Sequence, residues 1–85
     1  MLRRGLEATP RAAYRIPDEL TDSVIGEVKN VKHLEYRSQL QDDVAYAQAN
    51  NLEFRLHVRE STTFSGPLRK LIDAGVITRV PSLGP

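Results

Sequence analysis

Val24-Ile25-Gly26-Glu27-Val28-Lys29 is the stretch on which the reading of this chain turns. Its β-branched residues, its brevity and the polar Thr21-Asp22-Ser23 ahead of it read as a strand, not a helix. Side chains two apart on a strand share a face. Ile25, Glu27 and Lys29 therefore point one way, and Val24 and Val28 the other. Upstream, Ala12-Ala13-Tyr14-Arg15-Ile16 reads as a neighbouring strand with Tyr14 and Ile16 on one face. Pro17 cannot donate to a ladder and ends it. Asp18 to Ser23 is then a polar connection, short enough for a hairpin. An antiparallel hairpin of this kind folds Asp18 back onto Glu27. Two carboxylates and an ammonium on one face are the minimum for metal-assisted hydrolysis of a phosphodiester. The acids hold a hard divalent cation, and the lysine holds or activates the attacking water. Taken alone, however, Asp18 after Pro17 is an ordinary turn residue, and an acid two residues before a lysine is a common pattern.

Working outward, Asn30-Val31-Lys32-His33-Leu34 reads as a loop or the beginning of a helix. From Glu35 to Ala49, Tyr36, Leu40, Val44 and Ala47 recur at helical steps and form one apolar stripe. Asn50-Asn51 supplies the left-handed C-cap. Gln39, Asp43 and Tyr46 make a second stripe beside the apolar one. Glu53-Phe54-Arg55-Leu56-His57-Val58-Arg59 alternates as a strand, with Phe54, Leu56 and Val58 facing a core. Its polar face is either a phosphate-facing surface or a solvated face with cross-strand ion pairs; Glu53 and Arg55 fit the second description. His33 and His57 are too few and too far apart for a zinc site. Ser65 is expected to cap a short helix that carries Pro67 in its first turn. Leu68, Leu71 and Ile72 form its inward stripe and Gly75 its C-cap. Val76 to Val80 closes as a last strand, ended by Pro81. The order is strand, strand, helix, strand, helix, strand: an α/β chain with a mixed four-stranded sheet and right-handed crossovers.

Composition sets bounds. The 85 residues make one domain spanning 1–85, just above the roughly 70–80 residues below which a core usually needs staples. There is no cysteine, so neither a disulfide nor a cysteine-ligated zinc provides one; this fits a reducing compartment. No apolar run approaches the roughly 20 residues of a membrane span, so no membrane role is expected. Arg3-Arg4 is not followed by a signal-peptide pattern. The net charge of +1 is low for a nucleic-acid-binding chain, so any such surface requires the basic residues to gather on one side.

The wording around the acids is more specific than their spacing. Arg15-Ile16-Pro17-Asp18, Gly26-Glu27-Val28-Lys29-Asn30-Val31, Gln39-Leu40, and Val58-Arg59 followed by Thr62 and Phe64-Ser65-Gly66-Pro67-Leu68 occur in this order. In this they resemble the restriction-endonuclease-like PD-(D/E)xK nucleases, in particular the Tox-REase-type toxin domains at the C-terminal tips of bacterial polymorphic toxins. The resemblance runs from about residue 14 to residue 77. It implies a restriction-endonuclease-like core whose N-terminal helix, short or missing here, often supplies a further acid; Glu7, the one carboxylate before Asp18, either fills that role or is a solvated surface residue. It implies Mg²⁺ or Mn²⁺ held by Asp18 and Glu27 with the Val28 carbonyl. Lys29 becomes the residue that orients water and stabilises charge. Gln39 matches a glutamine that borders the metal site in the family, or is simply a polar residue on the helix flank. The glutamine–tyrosine spacing of other members is not met, because Asp43 stands four after Gln39. Lys32, Arg37 and Arg59 become candidate phosphate contacts.

The resemblance further implies DNA as substrate, a cognate immunity protein, and delivery from a bacterium as part of a larger toxin acting in the target cytoplasm. A homodimer is expected if the missing N-terminal part must be replaced. The other classes compatible with the residues are a non-catalytic interaction domain, and a housekeeping resolvase or repair nuclease.

Overall fold

In the computed structural model, which describes residues 17–85, Val24–Val28 is buried over its first four residues, on both faces, and opens to solvent at the fifth. Ile25 and Glu27 are each 2% exposed, whereas Val28 is 44% exposed. In chain order the elements are β1 (Glu19–Leu20), β2 (Val24–Val28), β3 (His33–Leu34), α1 (Ser38–Ala49), β4 (Glu53–His57), β5 (Thr63–Phe64), α2 (Gly66–Asp73) and β6 (Ile77–Val80). The expected strand over Ala12–Ile16 and the carboxylate of Glu7 lie outside the described residues.

The main sheet has the order β1-β2-β4-β6. β1 is antiparallel to β2, while β2, β4 and β6 run parallel, so the sheet is mixed as expected. Register places Ile25 beside Phe54 and Phe54 beside Ile77, which puts all three on one face. Leu40, Val44 and Ala47 of α1 and Leu68 of α2 join these residues in a single buried cluster, with Leu56 and Val58 completing it. Both helices thus cover the same face of the sheet. The amphipathic stripes recognised in the sequence are what bring them there.

Three boundaries and one helix cap differ from the sequence reading. The first pairing falls on Glu19–Leu20, inside the segment expected to be a connection. The Thr21 hydroxyl accepts from Ser23 N–H at 3.2 Å and Val24 N–H at 3.0 Å, and Thr21 N–H donates to Val24 O at 2.8 Å. That closes a tight turn and leaves Glu19 and Leu20 to pair. Second, the segment after Asn30 is extended, not helical: His33–Leu34 pairs in parallel with Thr63–Phe64, and α1 begins only at Ser38. Third, β4 ends at His57, although Val58 stays buried. Fourth, the Ser65 side chain does not cap α2. Pro67 at the second helical position removes one of the two N–H groups a capping oxygen can reach, and the one on Leu68 is not used. The buried Ser65 hydroxyl has no hydrogen-bond partner.

The helix ends behave as read. Asn51 takes a φ of 56° and Gly75 a φ of 82°. Leu52 N–H reaches back to Ala47 O, and Val76 N–H to Leu71 O. These are the long backward bonds that close helices on a left-handed residue.

Thr62 ties the loop after β2 to the loop after β4. Its buried hydroxyl donates to Val31 O at 2.8 Å and accepts from Arg59 N–H at 3.1 Å. Thr62→Val keeps the shape and leaves both backbone groups unsatisfied, so it is expected to cost about 1–3 kcal/mol. Urea unfolding should show a lower midpoint with an unchanged slope; an unchanged midpoint would mean that water replaces the hydroxyl without loss. Among the described residues no helix is long and apolar enough to cross a membrane.

Candidate functional site

The site is built by matching a helical repeat to a strand repeat. Glu27 and Lys29, two apart at the end of β2, are separated by about 6.6 Å along an extended chain. Gln39 and Asp43, four apart on α1, are separated by about 6 Å along a helix and share a face. α1 returns across β2 in the opposite sense on the way to β4. Lys29 therefore meets Gln39, and Glu27 meets Asp43. The Lys29 ammonium donates to Gln39 Oε1 at 2.9 Å, and the Glu27 carboxyl is in hydrogen-bond contact with that of Asp43.

Asp18 approaches from the other side. Glu19 pairs with Gly26, so the residue before it stands opposite Glu27. One Asp18 oxygen accepts from Val28 N–H at 2.8 Å, and its carboxyl also contacts that of Glu27. The structure thus brings together Asp18, Glu27, Lys29 and Gln39. It adds Asp43, 6% exposed, which the sequence reading did not count as a site residue. The available signal was its place one helical turn after Gln39.

Three carboxyl groups in one place are electrostatically costly. Burial, first, and then the hydrogen bond and charge of Asp43, followed by those of Asp18, push Glu27 from 4.5 up to about 9. Desolvation and like charges both disfavour the carboxylate. Glu27 therefore holds a proton at neutral pH unless a cation takes its place. Among the described residues no three or more His, Asp or Glu side chains are spaced as a complete metal cage. A magnesium-like ion does not need one, since it usually takes one or two carboxylates and keeps several waters. Buried Glu27 and solvent-exposed Asp18 fit that donor set, and the excess of negative charge is what such an ion would relieve.

The basic candidates divide. Lys29 and Arg37 line the same groove, although Arg37 is also ion-paired with Glu35 at 2.8 Å. Arg59 is tied into the loop after Lys29: its Nε donates to Asn30 Oδ1 at 2.6 Å and a terminal nitrogen to Asn30 O at 3.3 Å. Its visible task is to hold that loop. Lys32 is exposed, with its backbone carbonyl accepting from Thr63 N–H.

The opposite face of the sheet carries the ion pairs expected of a solvated surface. Arg55 lies 3.2 Å from Glu53 and 3.8 Å from Glu19, and His57 lies 3.1 Å from Glu19. Gly26 makes this possible, because a Cβ there would stand 2.5 Å from a Glu19 carboxylate oxygen.

A protein-family model described as restriction endonuclease fold toxin 7 matches residues 3–68, more than half of the chain. No curated protein and no solved structure gives a significant match. The matched span includes β1, β2, α1 and β4, and with them every residue of the site just described.

Proposed function

The chain belongs to the restriction endonuclease fold toxin 7 family, and from that premise we propose that it is a metal-dependent nuclease, a DNase that cleaves the DNA of a competing bacterium. The observation that carries this reading is the strand–helix match that sets Asp18 and Glu27 beside the Lys29–Gln39 pair. Asp18 and Glu27 would hold Mg²⁺ or Mn²⁺, with Val28 O as a further donor. When bound, the ion acts as a Lewis acid on a phosphate oxygen and lowers the pKa of a coordinated water.

The remaining chemistry belongs to the side chains. Lys29 directs the attacking water toward phosphorus and places positive charge where negative charge grows on the phosphoryl oxygens. Gln39 Oε1 accepts from the ammonium and fixes its direction without neutralising it. Asp43 packs against Glu27 from the helix side and restricts its rotamers. Arg37, which lines the groove with Lys29, and the exposed Lys32 are the candidates to contact phosphates on either side of the cut.

A nuclease of this kind endangers the cell that makes it, so a cognate immunity protein is part of the same reading. Lys29 and Lys32 lie on the loop after β2, which Arg59 holds, and Arg37 lines the groove beside it; an inhibitor with acidic contact residues would cover that region and exclude DNA.

The test has two arms. Purified chain is incubated with plasmid DNA, and separately with RNA, in Mg²⁺, Mn²⁺ or EDTA; plasmid cleavage is expected with either metal and none with EDTA. Folded protein that leaves the plasmid intact in every tube defeats the reading. The chain is then expressed alone and with its neighbouring reading frame. Growth arrest rescued by that neighbour is expected, and harmless expression of folded chain counts against a toxin.

A further inference from the structure

Beside the Lys29–Gln39 pair lies a groove of about 300 Å³, open to solvent, between the loop after β2, strand β3 and the first turn of α1. Its lining mixes two chemistries. Lys29, Gln39 and Arg37 are polar or charged, whereas Val31 and Leu34 are apolar and His33 presents a ring. Two features of this lining call for an occupant. Val31 is 37% exposed and, with Val28, is one of the exposed large apolar side chains among the described residues. His33 is half exposed, yet its ring is not free to turn, because Nδ1 shares a hydrogen bond of 2.7 Å with the Thr63 hydroxyl. An immobilised flat ring next to an exposed branched apolar side chain is a surface for a planar, partly apolar group. The volume is at the small end of the roughly 300–1,000 Å³ of ligand sites. Arg37 and His33 both lie against Glu35, which leaves Lys29 as the lining's cation held only by a neutral amide, a charge that favours an anionic group beside it.

We propose that this groove seats a single unpaired nucleotide of the substrate strand, next to the phosphate that is cut. The inference rests on the nuclease reading and deepens it, by making the preferred substrate single-stranded or locally opened nucleic acid. A base inside a duplex has both faces covered by its stacked neighbours and offers none to His33 or Val31. An unstacked base offers a whole face, and single-strand binders use such faces on rings and Arg planes. With the base between His33 and Val31, its 5′ or 3′ phosphate is drawn to Lys29 on one side and to Arg37 on the other. The same groove then fixes both the register of the strand and the phosphate that Lys29 addresses.

The experiment measures binding in EDTA, so that it does not depend on cleavage. Fluorescein-labelled 12-mers of single-stranded DNA, single-stranded RNA and duplex DNA are titrated with the chain and followed by anisotropy. Single-stranded binding is expected to be about tenfold tighter than duplex binding, the scale of one base–ring stack. Tighter binding by either single strand meets the expectation, and the DNA and RNA arms tell which sugar is preferred. His33→Ala is expected to remove the tenfold preference while leaving duplex affinity within about twofold. His33→Phe, which keeps a flat ring but no nitrogen, is expected to retain it. Val31→Ser, a neutral change at an exposed position outside any strand, lowers the single-strand preference as His33→Ala does and guards against a folding defect at β3.

Equal affinity for single strand and duplex overturns the proposal, as does a loss in His33→Ala that falls equally on both. Metal-dependent cleavage with either of those binding results removes the groove's role and leaves the nuclease reading standing. Single-strand preference carried by His33 with no metal-dependent cleavage does the reverse.

Discussion

Glu27→Gln is expected to lower cleavage by about a thousandfold or more while leaving a folded protein. The amide is nearly the same size and keeps the burial of Glu27 beside Asp43 and Asp18. It has no negative charge with which to hold a divalent ion, and the stabilisation such an ion supplies is several kcal/mol, at about 1.36 kcal/mol per tenfold in rate. Plasmid digestion by both proteins, each with Mg²⁺ and with EDTA, is the measurement. Equal activity in all four tubes removes the metal mechanism. Residual activity in Glu27→Gln that still needs Mg²⁺ would shift the main ligand to Asp18.

The same substitution has a second, opposite effect on stability, and its sign follows from the raised pKa. Glu27 ionises near its ordinary 4.5 in the unfolded chain and near 9 in the folded one. Between those values the folded state holds a proton that the unfolded state has released. Stability of the metal-free protein is therefore greatest below about pH 4.5 with respect to this group, and declines as pH rises toward about 9. Glutamine does not titrate. Glu27→Gln should accordingly flatten this part of the profile and be more stable than the parent at the alkaline end. Thermal unfolding in EDTA from pH 5 to pH 9 reads the effect directly. Added Mg²⁺ should restore the parent at alkaline pH, since binding replaces the proton and stabilises only the folded state, and should leave the variant unchanged. A parent whose stability rises with pH in EDTA would show that the three carboxyls do not meet as described.

How much of this was legible in the chain depends on the range over which each feature is encoded. The pairing of Glu27 with Lys29 rests on a period of two and is visible within three residues. Leu40, Val44 and Ala47, and the alternation of Phe54, Leu56 and Val58, are equally local, and all six are buried. Asp43 is different. Its spacing from Gln39 acquires meaning only once α1 is known to run back along β2, so that a four-residue helical step matches a two-residue strand step. The β3–β5 pair is harder still: it joins His33 to Thr63, thirty residues apart, with two residues on each side and no pattern to announce it. The position of β1 depended on the turn closed by the Thr21 hydroxyl and N–H, which no repeat in the sequence announces. There a side-chain hydrogen bond outweighed the propensity of the segment.

Lys29→Met is expected to slow cleavage by roughly two orders of magnitude and to leave the affinity for Mg²⁺ largely intact. The size is that of losing one donor aimed at developing charge. Retention of the metal follows from what Lys29 touches. Its ammonium is held by the neutral Gln39 amide at 2.9 Å, so its charge is available to the phosphate. Asp18 is held by Val28 N–H, and Glu27 by its contacts with Asp43 and Asp18. Methionine preserves the length and apolar stem of the side chain and removes only the charged end. Calorimetric titration with Mg²⁺ beside single-turnover cleavage separates the two effects. Gln39→Leu serves as the control for direction: it leaves the positive charge but no longer aims it, so its loss should be the smaller of the two. A Lys29→Met protein that fails to bind Mg²⁺ and loses helix content in circular dichroism would make Lys29 a structural partner of the acids. Loss of cleavage with metal binding and fold unchanged would place it where the charge of the reaction develops.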